Sequence, residues 1–450
     1  MRRALLLVLL VCGAALTARA ELLAGVATAD VTPLVGTPLA GYSGRLQRGL
    51  PDLRRRTPRT WFQASTGQRD PIEAQALWLE RDGERVALVA IDAIGVERAL
   101  VEELSARLRR RGLPLPAERL IVCATHTHSG PGALSRRLLW ELAAVDAFHR
   151  LTYERLLDAL TSLVIRAFEA RRPAALGVGR VEVPGVTRNR RAERSRRVSA
   201  DDVDPRLDLL RVDERATGRP LAVVLRYAIH PTCLGAGNLR SSADVSGAIR
   251  REAARRIGCP ALFLNGCEGD VAPSPGGEEG IAAIGARLGA AAATLCEEVR
   301  SAPDAGLAVA ALERDLGPLR LHPRLGQEGP DQAGLSGALR LLRPIDGRLR
   351  EPVLDTRFRF SALRLGTALW LLVPGEPIVE LGRLLEAEAR AAGVPDAWVV
   401  GLANGHMGYL TTPEEYREGG YEAWLTLYGP ESAATVRQAF RELLARIGPV

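Results

Sequence analysis

The chain alternates short apolar runs with longer segments whose apolar residues recur every three to four positions. Residues 120–124, 221–229, 368–373 and 397–403 are largely apolar and of strand length, the pattern of strands buried on both faces. Residues 76–80 and 86–91 flank Asp82-Gly83, a dipeptide suited to a tight turn, and predict a hairpin whose second strand closes on Asp92. Helical periodicity over 101–111, 153–171, 282–300 and 378–392 predicts surface helices, each laying one apolar face on a sheet. Together these elements predict an α/β fold: mixed β-sheets covered by helices, with the active site at the C-terminal ends of the strands. Residues 317–352 are rich in Gly, Pro and Arg with weak periodicity, and read either as an excursion over the site or as an irregular loop. No internal repeat or composition break divides residues 21–450, which read as one domain.

The ends of the apolar runs carry the chemistry. Run 120–124 leads into Thr125-His126-Thr127-His128-Ser129 and stops at Gly130-Pro131-Gly132. Two imidazoles two residues apart on a rigid turn are a common way to offer a metal nitrogen ligands. Run 221–229 ends in His230-Pro231-Thr232, run 368–373 in Pro374-Gly375-Glu376, and run 397–403 in Asn404-Gly405-His406-Met407-Gly408-Tyr409. Loops at strand C-termini converge on the ligand crevice of an α/β sheet, so four such loops predict one assembled site. The plainer alternative, each polar residue merely capping its strand, holds for any one loop but less well for four together.

Composition narrows the function. With 450 residues and 47% hydrophobic content the chain is globular, not disordered. Its net charge of +7 is built from arginine alone, as no lysine occurs. Clusters at Arg54-Arg55-Arg56 and in residues 188–197 could draw anionic surfaces, but arginine replaces lysine everywhere and no nucleic-acid motif accompanies it, so a nucleic-acid partner is excluded. Residues 1–20 have Arg2 and Arg3, an apolar run, and Ala18-Arg19-Ala20: a cleaved signal peptide, hence a secreted or periplasmic protein. Beyond that segment no stretch reads as a membrane span. The remaining five cysteines cannot all pair. Cys259 and Cys267 are the expected disulfide, while Cys123 and Cys233 should pack as small apolar residues.

Several motifs, in this order, resemble the N-terminal catalytic domain of the neutral (non-lysosomal) ceramidase family. They are Gly25-Val26-Ala27-Thr28-Ala29-Asp30-Val31-Thr32-Pro33, the Thr125–Gly132 run, Ala228-Ile229-His230-Pro231-Thr232, Gly269-Asp270-Val271, Pro374-Gly375-Glu376 and Gly408-Tyr409-Leu410-Thr411-Thr412-Pro413-Glu414-Glu415-Tyr416. The resemblance implies one Zn²⁺ and cleavage of an acyl amide such as ceramide, with a lipid-like or small-molecule acyl amide as partner and peripheral membrane contact left open. It places His126, His230, Glu376 and Tyr409 on the zinc-ligand positions, with His126 preferred to His128. His128 is then implied to face the oxyanion, and Arg190 and Tyr421 to hold the substrate's polar groups.

Two departures accompany the resemblance. Where the family has the serine proposed as nucleophile, in a Gly-Asp-Val-Ser-Pro-Asn segment, this chain reads Gly269-Asp270-Val271-Ala272-Pro273-Ser274. Ala272 has no oxygen to attack with, which implies attack by zinc-activated water helped by Asp270 or Glu268, or lost amidase activity. Ending at Val450, the chain is also expected to lack the β-sandwich domain that follows in longer ceramidases. The leading expectation is an exported zinc-dependent amide hydrolase. A metal-dependent esterase or other hydrolase on this scaffold, using residues 188–197 for an anionic substrate, and a catalytically inactive zinc-binding protein stand as alternatives.

Overall fold

The computed structural model describes residues 20–47, 59–325, 339, 344 and 346–448. Residues 1–19 and Arg54-Arg55-Arg56 lie outside that set, as does the middle of segment 317–352.

The structure is the expected mixed α/β arrangement. An eight-stranded sheet runs in the order Ala261–Asn265, Pro220–Tyr227, Arg206–Glu214, Arg172–Glu182, Leu23–Asp30, Glu73–Arg81, Glu84–Ile91, Leu120–Ala124. Only its two outermost pairs are parallel. A four-stranded sheet, Leu307–Asp315, Arg357–Leu365, Ala368–Leu372 and Ala397–Val400, packs against it face to face.

The almost wholly apolar character of the strand runs is a consequence of this packing. Successive side chains point to opposite faces. On Glu73–Arg81, Leu77 and Leu79 enter the core between the sheets, while Ala76 and Trp78 meet the outer helices. Leu120–Ala124 divides likewise, Ile121 and Cys123 inward, Leu120, Val122 and Ala124 outward. Helices Arg98–Arg110, Arg150–Glu169, Asp244–Ile257 and Gly277–Glu298 cover the larger sheet, and Val379–Ala391 and Ser432–Ile447 cover the smaller. The stack is thus four layers, helices outside and two sheets inside. The predicted hairpin forms at Asp82 (φ 50°) and Gly83 (φ 83°), both in the left-handed region that such a turn requires.

Two expectations need correction. Cys259 and Cys267 are free and buried, not joined. They sit at opposite ends of Ala261–Asn265, whose five extended residues, at about 3.3 Å each, hold them farther apart than a disulfide spans. Helix Gly277–Glu298 is long and apolar enough to cross a membrane by length and composition. Its Ile281, Ile284, Leu288, Ala292 and Leu295 lie in the core against the sheet.

The larger sheet curls so that its edge strands approach each other. Asn265 bridges the gap: its amide nitrogen donates to the carbonyls of Thr125 (3.2 Å) and Ile229 (2.8 Å), and its side-chain oxygen accepts from the Ile229 N–H (3.1 Å). Asn404 inserts from the smaller sheet, accepting from the Val122 N–H (2.7 Å) and donating to the Leu120 carbonyl (3.1 Å). Strand ends from three parts of the chain are fixed around one point.

Candidate metal centre and active site

The loop after Leu120–Ala124 turns sharply at His126, whose φ of 71° is unusual for a residue with a side chain. Its N–H donates to the Ala93 carbonyl (2.9 Å) and its ring Nδ1 lies 2.5 Å from the Ile94 carbonyl. His230 is held the same way: its N–H bonds the Val271 carbonyl (2.9 Å) and its Nδ1 lies 3.2 Å from the Glu268 carbonyl. In both rings Nδ1 carries the proton, since a carbonyl only accepts, and Nε2 is left with a lone pair.

Those lone pairs face one another. His126 Nε2 lies 3.1 Å from His230 Nε2, and His128 Nε2 is 3.3 Å from the first and 3.1 Å from the second. Glu376 Oε2 stands 3.2 Å from His126 Nε2 and 3.9 Å from His230 Nε2, with no hydrogen-bond donor of its own among the described residues. Burial lowers the His128 and His230 pKa values well below that of a free imidazole, so these rings are neutral. Glu376 is buried, yet His406 Nε2, 3.1 Å from Oε1, favours its ionised form, and the carboxyl is held well below the usual range.

Neutral acceptor nitrogens and a bare carboxylate oxygen crowded together repel unless a cation lies among them. Nitrogens about 2.0–2.1 Å from a zinc stand about 3.3 Å apart at tetrahedral angles, close to the observed spacing. The donor set therefore fits zinc. His128 meets the other rings on equal terms with His126, although the sequence separated the two. Gly41 makes room for it: its φ is +99°, and a Cβ there would lie 2.6 Å from the His128 ring.

Glu376 and Tyr409 arrive together because Glu376–Pro377 pairs in parallel with Tyr409–Leu410, with Glu376 opposite Tyr409. Tyr409 Oη accepts from Arg190 Nη2 (3.0 Å), and its ring lies nearly parallel to that of His230. Burial and the Glu376 charge push the Tyr409 phenol well above its ordinary range. Arg190 also binds Glu422 (2.8 Å) and the Gly269 carbonyl (2.7 Å), with its guanidinium over the rings of Tyr409 and Tyr421. All the residues singled out on the strand ends thus converge, and Arg190 and Tyr421 join them.

Asp270 does not. One of its carboxylate oxygens accepts from the Val379 N–H (3.0 Å), the other from Asn189 Nδ2 (2.8 Å), and burial pushes it up to about 6. Its carbonyl receives the Arg190 N–H (2.8 Å), so it positions Arg190, and it lines neither cavity at the cluster. Glu268 supports His230 through its backbone, and its buried carboxyl, pushed well above the carboxylate range by burial, has no hydrogen-bond partner among the described residues. Ala272 lies in the bridge Val271–Pro273, opposite Arg188 of Thr187–Asn189, and also lines neither cavity. The residue sequence reasoning missed is His406, whose Nε2 lies 3.1 Å from Glu376 Oε1 and steers that carboxylate. The only signal for it was its place three residues before Tyr409.

Two cavities meet at this cluster and share Gly41, Ser43, His128, Tyr409 and Tyr421. One is apolar, walled by residues such as Val96, Leu134, Leu139, Trp140 and Leu156, with Leu339 from the 317–352 segment. The other is polar, walled by residues including Tyr42, Arg190, Arg194, Thr232 and Glu422.

Residues 22–273 match the family model described as neutral/alkaline non-lysosomal ceramidase, N-terminal. The chain is 25% identical over 437 residues to a neutral ceramidase of Pseudomonas aeruginosa, covering 80% of this chain and 64% of that protein. It is 26% identical over 402 residues to a neutral ceramidase of Mycobacterium tuberculosis, covering 72% and 62%. The chain thus spans somewhat under two thirds of these relatives. The crystal structure of neutral ceramidase from Pseudomonas aeruginosa superposes with a TM-score of 0.76 at 22% identity, over 96% of this chain and 75% of that one; the fold is shared.

Proposed function

Because this chain belongs to the neutral/alkaline non-lysosomal ceramidase family, we propose that it is an exported, zinc-dependent hydrolase of a lipid-like acyl amide. The observation that carries the reading is the set of three Nε2 atoms and one carboxylate oxygen facing one another at the mouth of an apolar cavity. Export rests on residues 1–20. His126, His230, Glu376 and Tyr409 would hold the metal, and His128 Nε2 stands close enough to join them. Bound there, zinc would polarise an acyl carbonyl and lower the pKa of water towards about 7.

The chain's own residues do the rest. The apolar cavity takes the acyl chain, where burial of each CH₂ contributes about 0.8 kcal/mol, and brings the amide to the junction. Hydrolysis joins a water oxygen to the acyl carbon, breaks the C–N bond and moves one proton to the departing nitrogen. Ala272 offers no hydroxyl at the position of the family's serine, which favours water as the source of the oxygen, without an acyl-enzyme. Tyr421, pushed up to about 12 by burial, stays protonated and can donate to the carbonyl oxygen or the departing nitrogen. Tyr421→Phe is expected to lower kcat about 10²-fold or more with little change in KM, read by steady-state kinetics.

A panel of fluorescent short-chain ceramides and simple acyl amides tests the activity. We expect turnover that a chelator abolishes and added zinc restores; absence of turnover on every amide, with zinc supplied, rejects the reading.

A further inference from the structure

The two cavities differ in polarity, and the difference bears on the substrate's second half. A two-tailed lipid needs apolar surface on both sides of the scissile bond. Here aliphatic side chains wall only one side: among the described residues the second cavity is lined by charged and polar groups interspersed with Tyr42, Ala236, Tyr409, Tyr421 and Trp424, a mixed surface that suits a short polar group better than a long alkyl tail.

The charges on its wall are also nearly all spent. Arg190 is bound to Glu422, and the buried Arg191 to Glu415 and Glu422. Glu193 pairs with Arg188 (2.8 Å), and Glu418 accepts from Ser195 Oγ (2.6 Å) and the Arg196 N–H (2.9 Å). Arg197, from the same run, is committed to Glu415 and Glu380. The dense arginine run of the sequence is therefore mostly self-neutralised. Among the arginines that line this cavity, Arg194 is the unpaired one; the exposed Arg196 also lacks a side-chain partner among the described residues but does not line the cavity. Arg194 is exposed on the cavity wall, and its guanidinium has no hydrogen bond or ion pair among the described residues.

Given the acyl-amide hydrolase reading, on which this inference rests, we propose that the substrate is a single-tailed acyl amide whose amine half is short and anionic, as in an N-acyl amino acid. Arg194 recognises that anion. The acyl chain fills the apolar cavity, the amide lies at the histidine cluster, and the charged end of the amine enters the polar cavity. A guanidinium there forms paired hydrogen bonds with a carboxylate or a sulfonate. Hydrolysis then releases a fatty acid and a free amino acid or aminosulfonate, the proton balance being that of any amide.

The test compares N-dodecanoylglycine, N-dodecanoyltaurine, the neutral N-dodecanoylglycinamide and C12-ceramide on the zinc-loaded full chain, by kinetics and by calorimetric binding. At least one anionic amide should exceed the neutral amide and the ceramide about tenfold in kcat/KM, and the glycine and taurine arms tell carboxylate from sulfonate. In Arg194→Gln the anionic-to-neutral ratio should collapse towards one through KM, and Arg194→Lys should recover part of it. A ceramide or neutral amide turned over as well as the anionic ones overturns the proposal, as does a ratio unmoved by Arg194→Gln. If no amide is cleaved, the hydrolase reading fails, while calorimetry still decides this one: anion-selective binding lost in Arg194→Gln supports it, and unselective or absent binding overturns it.

Discussion

Replacing His230 by alanine is expected to abolish acyl-amide hydrolysis, lowering kcat/KM at least about 10³-fold, and to release the bound zinc. The size of the effect follows from the geometry. His230 Nε2 is 3.1 Å from the Nε2 atoms of both His126 and His128, and its ring is locked by the Glu268 carbonyl. His126 and Glu376 are held in place by the Ile94 carbonyl and by His406, so neither can move to take its position. His406→Ala should act more gently. It removes the group that steers Glu376 Oε1, and loss of such an outer partner typically costs about 10–100-fold in metal affinity. The ordering of the two variants, read from metal content and kcat/KM together, separates a metal-holding residue from a supporting one. Equal losses would contradict the assignment.

The second large effect is expected in stability. Asp92 closes Glu84–Ile91 and is fully buried. Its Oδ2 accepts from Arg250 Nη2 and the Glu73 N–H, both at 2.9 Å, and its Oδ1 from Thr125 Oγ1 (3.2 Å). Arg250 is itself 3% exposed and keeps only Glu73 if Asp92 is lost. Breaking one side of a buried pair costs about 3–5 kcal/mol, chiefly because the other charge is stranded. Asp92→Ala should therefore lower the unfolding free energy by about that much in urea denaturation. Asp92→Ala with Arg250→Met should recover a good part of it, since no buried charge then lacks a partner. A double variant as unstable as the single one would show that the cost lies in packing instead. Because Thr125 precedes His126, the single variant also loosens the turn on which the metal cluster stands.

Much of this was legible in the sequence wherever a residue's role is set by its own strand. Buried strands are apolar on both faces and stop abruptly, so the ends of the runs after 124, 229 and 403 could be read, and with them His126, His230 and Tyr409. The hairpin was legible because Asp82-Gly83 accepts the left-handed geometry. Roles set by distant contacts were not. Asp270 stands in a motif that looks catalytic, yet its carboxylate meets the N–H of Val379, 109 positions away. Of the arginines in 188–197, Arg190, Arg191 and Arg197 are taken up by acidic partners from 380–422, and Arg194 is left free on the cavity wall among the described residues. Arg172–Glu182 and Arg206–Glu214 carry too many polar and glycine residues to be read as central strands, although they lie in the middle of the larger sheet. The Cys259–Cys267 pairing failed for the opposite reason: closeness in sequence counts for little when an extended strand lies between.

The central claim is that side chains from His126, His230, Glu376 and Tyr409, far apart in the chain, hold one zinc between them. The most direct measurement is the metal content of the purified full chain after dialysis against trace zinc, by inductively coupled plasma mass spectrometry. We expect close to one zinc per chain in the parent and little in His230→Ala with the fold retained by circular dichroism. A well-folded parent protein that binds no zinc under those conditions, or His230→Ala retaining a full equivalent, would contradict it.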